Sequence, residues 1–140
     1  MDKLREIHKK ALTANIIGKS YTEDLTNNKD CNKTEVTYLG VLNAKNKRYK
    51  VLTSFFVFGS SCRGSSSIRF YDMKDRYVGE YNVGMPYYLP HQLKQNRLFF
   101  PTNEDCNLRK NFSVNLKNGL PKNLYVSCSD GGDVFTFSSY

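Results

Sequence analysis

The chain contains no tryptophan, only two histidines and four prolines, and just 13 acidic residues against 21 basic ones in 140 positions. Each scarcity closes something off. No stretch approaches the roughly 18 consecutive apolar residues that a membrane-spanning helix requires, so the expectation is a soluble chain with no transmembrane segment. The opening MDKLREIHKK is polar and charged where an export signal needs an apolar segment. That leaves a secreted or periplasmic protein if Met1 follows a removed signal, and a cytoplasmic one otherwise. With only His8 and His91 available, and no Cys-x-x-Cys spacing, no zinc or other metal is expected. The acid-poor SDGGD run carries two carboxylates where a calcium loop sets several at alternate positions. His91, in LPHQL, has no neighbouring residue that marks a catalytic triad, and no cofactor motif occurs. The chain is therefore expected not to be an enzyme.

What is present is positive charge. The formal net charge is +8, which favours an acidic partner: an acidic protein or an anionic envelope component first, a nucleic acid second. The lysines and arginines are spread over every segment, from Lys9 and Lys10 to Arg109 and Lys110, without a block of five or six like charges, the pattern of a solvated surface. Cys31, Cys62, Cys106 and Cys128 form an even set that permits two disulfides in three pairings. Three of them sit in polar, turn-like surroundings (KDCNK, SSCRG, EDCNL), which favours an oxidising compartment. Cys128 shares strand parity with Leu124 and Val126 and is expected to be buried; Cys62 is expected to be accessible unless paired.

Residues 1–18 read as an amphipathic helix, with Leu4, Ile7, Ala11 and Ala14 on one stripe, Asp2 as N-cap and Gly18 as stop. Ala11 and Ala14 make that stripe too weak for a membrane surface, so the helix should pack on its own sheet. Residues 19–33 are rich in Asn, Asp and Thr and read as a polar loop. Residues 34–140 form the β-rich body of the same single domain. Alternation and turn chemistry such as NAKNK, MKDR and LKNG divide it into eight short strands: Thr34–Leu42, Tyr49–Phe58, Ser67–Met73, Tyr77–Val83, Arg97–Phe100, Phe112–Leu116, Leu124–Cys128 and Val134–Phe137. The fold class is mainly β (α+β), an N-terminal helix on an antiparallel meander, barrel- or sandwich-like. In VLTSFFVF, Val51, Phe55 and Val57 alternate with Leu52, Phe56 and Phe58, the pattern of a central strand covered on both faces. MPYYLPHQLKQN reads as a long connection.

GSSCRGSSSIR, Gly59 to Arg69, comes one residue short of a phosphate-binding P-loop. Ser65 stands where that loop has lysine, and the following SIRFYD alternates as a strand where a helix is required. A phosphatase loop fails as well, because six residues rather than five separate Cys62 from Arg69. What remains is a Gly- and Ser-rich hairpin loop in which Gly59, Arg63, Gly64, Ser65 and Ser66 form a candidate anion nest.

Ten tyrosines and nine phenylalanines supply the aromatics. Most phenylalanines fall in strand register and belong to a core. Tyr71, Tyr77, Tyr81, Tyr87 and Tyr88, beside Arg69 and Arg76, form a candidate binding surface, since tyrosine and arginine concentrate at interface hot spots. The resulting expectation is a small non-enzymatic binding or inhibitor-type module engaging an acidic protein or envelope component. The alternative is a β-barrel binding single-stranded nucleic acid, which requires tyrosines and cations to share one face.

Overall fold

The computed structural model describes residues 5–101, 112–127 and 132–139. The protein is mainly β with one N-terminal helix, as its alternation predicts. Helix α1 (Glu6–Ala14) precedes strands β1 (Ser20–Asp24), β2 (Cys31–Ala44), β3 (Lys47–Gly59), β4 (Arg63–Tyr71) and β5 (Tyr77–Asn82). A 3-10 turn (Pro86–Tyr88) leads to β6 (Gln92–Lys94), β7 (Arg97–Phe99), β8 (Ser113–Asn115), β9 (Asn123–Val126) and β10 (Asp133–Ser138).

All pairings are antiparallel. The large sheet runs in the order β1, β2, β3, β4, β5, β10, β9, and β6, β7 and β8 form a small second sheet. Among the described residues the large sheet does not close on itself, so the arrangement is sandwich-like. Leu93, Leu98 and Val114 align across the small sheet and pack, with Leu116 and Phe100, on Leu42, Val51, Ile68, Phe70 and Tyr81 of the large one. On the opposite face α1 lays Ile7, Ala11 and Leu12 against Val36, Tyr38, Leu52 and Tyr71. Two cores thus share one sheet, which is why Val51 and Leu52, neighbours of opposite parity, are both fully buried. Beyond the reach of these covers β3 emerges, and Phe58 at its end is 37% exposed. The covering expected for this strand on both faces holds from Val51 to Ser54 only.

Strand β2 serves both cores through a bulge between Tyr38 and Gly40. Val36 and Tyr38 face the helix, whereas Leu39, Leu42 and Ala44 face the small sheet. Gly40, at φ +126°, supplies a backbone conformation that a side chain would strain.

The helix buries Ile7, His8, Ala11 and Leu12, so its inner stripe is rotated from the expected one and Ala14 is exposed. Leu4 and the proposed cap Asp2 lie outside the described residues. The helix ends before Gly18, at Asn15, which takes a left-handed conformation (φ 54°) while its N–H donates to Ala11 O at 3.1 Å. Lys50 Nζ, paired with Asp75 at 2.8 Å, donates to Leu12 O at 3.2 Å and so places a cation at the helix C-terminus. Two strands occupy segments read as loops. β1 lies within residues 19–33, and β6 lies within MPYYLPHQLKQN, closed by a two-residue turn with Gln95 and Asn96 both at positive φ (52° and 61°). Among the described residues no helix is long and apolar enough to cross a membrane.

Candidate binding surface

The seven residues of the expected tyrosine surface do not share a face. Register pairs Arg69 with Glu80 and Tyr71 with Tyr77 on the helix side, and Ile68 with Tyr81 on the small-sheet side. Tyr71 is fully buried, its ring edge-on to Tyr77 at 5.8 Å. Arg69 donates to Ser67 Oγ (3.2 Å) and Tyr71 Oη (3.3 Å), pairs with Glu80 (3.3 Å), and lies 5.8 Å over the Tyr77 ring. Tyr81 is also fully buried; its hydroxyl donates to Pro121 O at 2.6 Å, and burial pushes its phenol well above the ordinary range. Tyr88 packs edge-to-face against Phe135 (5.1 Å) on the small-sheet side, with Tyr87 beside it at 4.9 Å. Arg76, in the turn after β4, is held by Asp72 at 2.7 Å. Desolvation raises the Asp72 carboxyl, but the Arg76 amide and guanidinium and the Lys74 amide outweigh it and hold it below the usual range. Alternation of side chains across a sheet covered on both faces is what divides the set.

The candidate anion nest is corrected similarly. Gly64, Ser65 and Ser66 are not loop residues: they continue β4 opposite Val57, Phe56 and Phe55, and Arg63 opens that strand opposite Phe58. Only Gly59 to Cys62 turn the chain, with Cys62 N–H donating to Gly59 O at 3.2 Å. The turn is pinned by a disulfide between Cys31 and Cys62, Cα atoms 5.2 Å apart. That bond accounts for one of the possible pairings; Cys106 and Cys128 lie outside the described residues. Leu124 and Val126 are buried as parity predicts. Among the described residues no three His, Cys, Asp or Glu side chains come together as a metal site.

A different feature gathers charge and aromatic surface. Between α1 and β1 runs an open groove of about 710 Å³, bordered by Ile7, Lys9, Lys10 and Thr13 from the helix and Tyr21 and Glu23 from the strand. Tyr21 packs on the helix-side core, and the ammonium groups of Lys10 and Lys19 stand 5.7 Å and 5.4 Å over its ring. Glu23 on the rim is paired with Arg5 at 3.2 Å, and Glu6 also lines the groove, so that Lys9, Lys10 and Lys19 stand there against the carboxylates of Glu6 and Glu23. Among the described residues β1 has no neighbour on its outer side. Tyr38 N–H donates to Lys19 O, so the ladder's alternation directs the Tyr21 and Glu23 amides toward β2 and those of Ser20, Thr22 and Asp24 outward. The sequence signal for this site was faint. Tyr21 alternates with exposed polar residues in SYTED, and Lys10 and Lys19, nine positions apart, show no relation until helix and strand pack together. Asp24 at the end of β1 is held below the usual carboxyl range by hydrogen bonds from Thr26.

No protein-family model, curated protein or solved structure matches the chain.

Proposed function

We propose that this chain is a non-enzymatic binding module that captures an extended acidic segment of a protein partner along the groove between α1 and β1. The observation that carries this reading is the combination, at one sheet edge, of outward backbone donors and two lysines poised over Tyr21. An added strand finds hydrogen-bond partners along β1, and its acidic side chains meet Lys9, Lys10 and Lys19. The net charge of +8 steers such a segment toward the surface. A protein suits the site better than an anionic envelope polymer, because only a peptide backbone complements a strand edge. The nucleic-acid alternative loses its motivation with the burial of Tyr71 and Tyr81, since rings enclosed in a core stack with no base.

The test is fluorescence anisotropy with a labelled peptide of alternating Glu and Val. The peptide is expected to bind at low salt. Lys10→Glu with Lys19→Glu should weaken it about tenfold, the effect of roughly 1.4 kcal/mol. Thr22→Pro, which removes an outward donor and leaves the ladder with β2 intact, should weaken it comparably. Binding indifferent to both variants, or no binding at low salt, would refute the reading.

A further inference from the structure

Where the β2–β3 hairpin turns, three segments distant in sequence are tied together by their backbones. Lys45 N–H donates to Lys117 O at 2.7 Å, Leu116 N–H to Asn96 O at 2.8 Å, and Asn43 N–H to Asn96 Oδ1 at 3.0 Å. Between the hairpin and the loop after β8 opens a cleft of about 530 Å³, bordered by Lys45, Asn46 and Lys47 on one side and Asn115, Asn118 and Leu120 on the other. That volume lies within the roughly 300–1,000 Å³ of ligand sites.

The small sheet extends this surface. Leu93, Leu98 and Val114 pack into the core, so Lys94, Arg97 and Asn115 point outward, and the ladder sets those three side by side. Lys94 stands directly opposite Arg97, a position where Cβ atoms lie about 4.5–5.5 Å apart and like charges destabilise a sheet. Lys45, Lys47, Lys94, Arg97 and Lys117 are all exposed, and among the described residues none of them takes part in an ion pair. The segments that supply them, 41–50, 92–98 and 113–122, contain no Asp or Glu. Elsewhere the cations stand among carboxylates, as in Arg5–Glu23, Arg69–Glu80 and Arg76–Asp72. Here the fold concentrates positive charge and leaves the repulsion for an anion to relieve.

The arrangement selects the anion. Cations drawn out along a hairpin and a sheet cannot all reach one phosphate or sulfate, so the ligand is a chain carrying separate charges. All but Arg97 are lysines, point charges without the planar fork that matches phosphate bidentately. Three carboxamides stand among them, and an amide both donates and accepts, which suits hydroxyl groups. Asn115 Oδ1 accepts the Lys117 N–H at 2.9 Å and leaves its NH2 to donate. Tyr49, the ring bordering the cleft, is half-buried and packs T-shaped on Phe70 at 6.4 Å, a poor platform for stacking a nucleobase. The exposed large apolar residues, Ile16 and Ile17 among them, belong to other segments, so a lipid surface finds no anchor here.

We propose that this cleft and the adjoining row of the small sheet bind an anionic oligosaccharide. Its sulfate or carboxylate groups meet Lys45, Lys47, Lys94, Arg97 and Lys117, and its hydroxyls meet the amides of Asn46, Asn115 and Asn118. The site lies on the small-sheet side and does not depend on the groove beside α1.

The test uses the full chain and two labelled probes, a heparin hexasaccharide for sulfate and a hexagalacturonate for carboxylate. At low salt at least one should bind saturably and shift the side-chain amide NMR signals of Asn46 and Asn118, while uncharged chitohexaose should do neither. Lys45→Gln with Lys47→Gln, and separately Lys94→Gln with Arg97→Gln, should each weaken that probe about tenfold through lost charge-assisted contacts. Lys29→Gln with Lys33→Gln removes the same charge at the opposite end of β2 and should weaken it by no more than about twofold. The proposal falls if neither probe binds, or if binding leaves the Asn46 and Asn118 signals in place. It falls equally if the Lys29 and Lys33 pair weakens binding as much as the other two pairs, which would reduce the effect to net charge. Oligothymidylate or the Glu–Val peptide shifting those two amides at equal or lower concentration would give the site to a nucleic acid or a protein and overturn the glycan.

Discussion

Acidification should unfold this protein through His8 before the carboxylates with shifted pKa values contribute. In the folded chain the imidazole is sealed under α1 at 1% exposure, and its pKa is lowered by burial first and by Arg69 and Arg5 next, from 6.5 to about 3. The unfolded chain takes up a proton near pH 6.5, whereas the native state refuses it until about pH 3. Between those values the unfolded state holds more protons, so stability is full above pH 6.5 and is lost as pH falls through the window. Each unit well below pH 6.5 costs about 1.4 kcal/mol, which makes roughly 2 kcal/mol between pH 6.5 and pH 4.5 and roughly twice that over the whole range. At roughly 0.05–0.15 kcal/mol per residue, the smaller figure is already a substantial part of a total of about 7–21 kcal/mol. Asp24 and Asp72, both held below their usual values, lose their contributions only at lower pH. Urea unfolding of the parent and of His8→Gln, across that upper interval, isolates the term. The amide of Gln retains a polar group for Ser54, whose hydroxyl lies 3.0 Å from His8 Nε2, and carries no titrating proton, so the variant's stability should be flatter by roughly 2 kcal/mol over two pH units. Parallel profiles would mean that His8 protonates normally in the folded protein and that the packing of α1 has been misread.

Two further outcomes follow from single features of the sheet. The Cys31–Cys62 disulfide closes a loop with a sequence separation of 31, which by chain entropy is worth about 3–4 kcal/mol. Replacing both cysteines with Ala should lower the calorimetric melting temperature by roughly 10 to 14 °C, and a shift of only about 3 °C would show that the hairpin is already closed in the unfolded chain. At Gly79 a Cβ atom would fall 2.5 Å from the Ser138 carbonyl oxygen and collide with the Phe137 ring of β10, the strand paired beside β5. Gly79→Ala should cost about 1–3 kcal/mol of overpacking, and an unchanged urea midpoint would place β10 elsewhere.

The strand pattern was legible because alternation and turn residues are local. All eight expected strands exist within a few residues of their expected bounds, and VLTSFFVF carried enough apolar residues on both parities to announce a two-faced sheet. β1 was hidden because, as an edge strand, it has one apolar residue, Tyr21, among polar ones. β6 was hidden because three residues and two prolines nearby carry no period. The helix stripe came out rotated because His8, polar in composition, is buried by its bond to Ser54, while Ala14 lies past the sheet's cover. The tyrosine cluster was a sequence neighbourhood that alternation splits in space. Conversely, the basic cleft and its rim draw Lys45, Arg97 and Lys117 from three distant segments, so nothing in their spacing could reveal it.

The bulge in β2 has an implication for how this chain tolerates changes of length. Opposite it, β3 runs without interruption from Val51 to Leu52, and these two positions face Gly40 and Tyr38. Leu39 is therefore supernumerary to the ladder. Inserting or deleting one residue elsewhere in a strand inverts every side chain beyond it and turns a core inside out. Removing Leu39 would instead restore a one-for-one count, with Tyr38 still on the helix side and Leu42 and Ala44 still on the other, at the cost of one buried leucine. β2 thus holds a joint at which the count can change by one residue while every side chain beyond it keeps its face, the small-sheet core losing Leu39 alone.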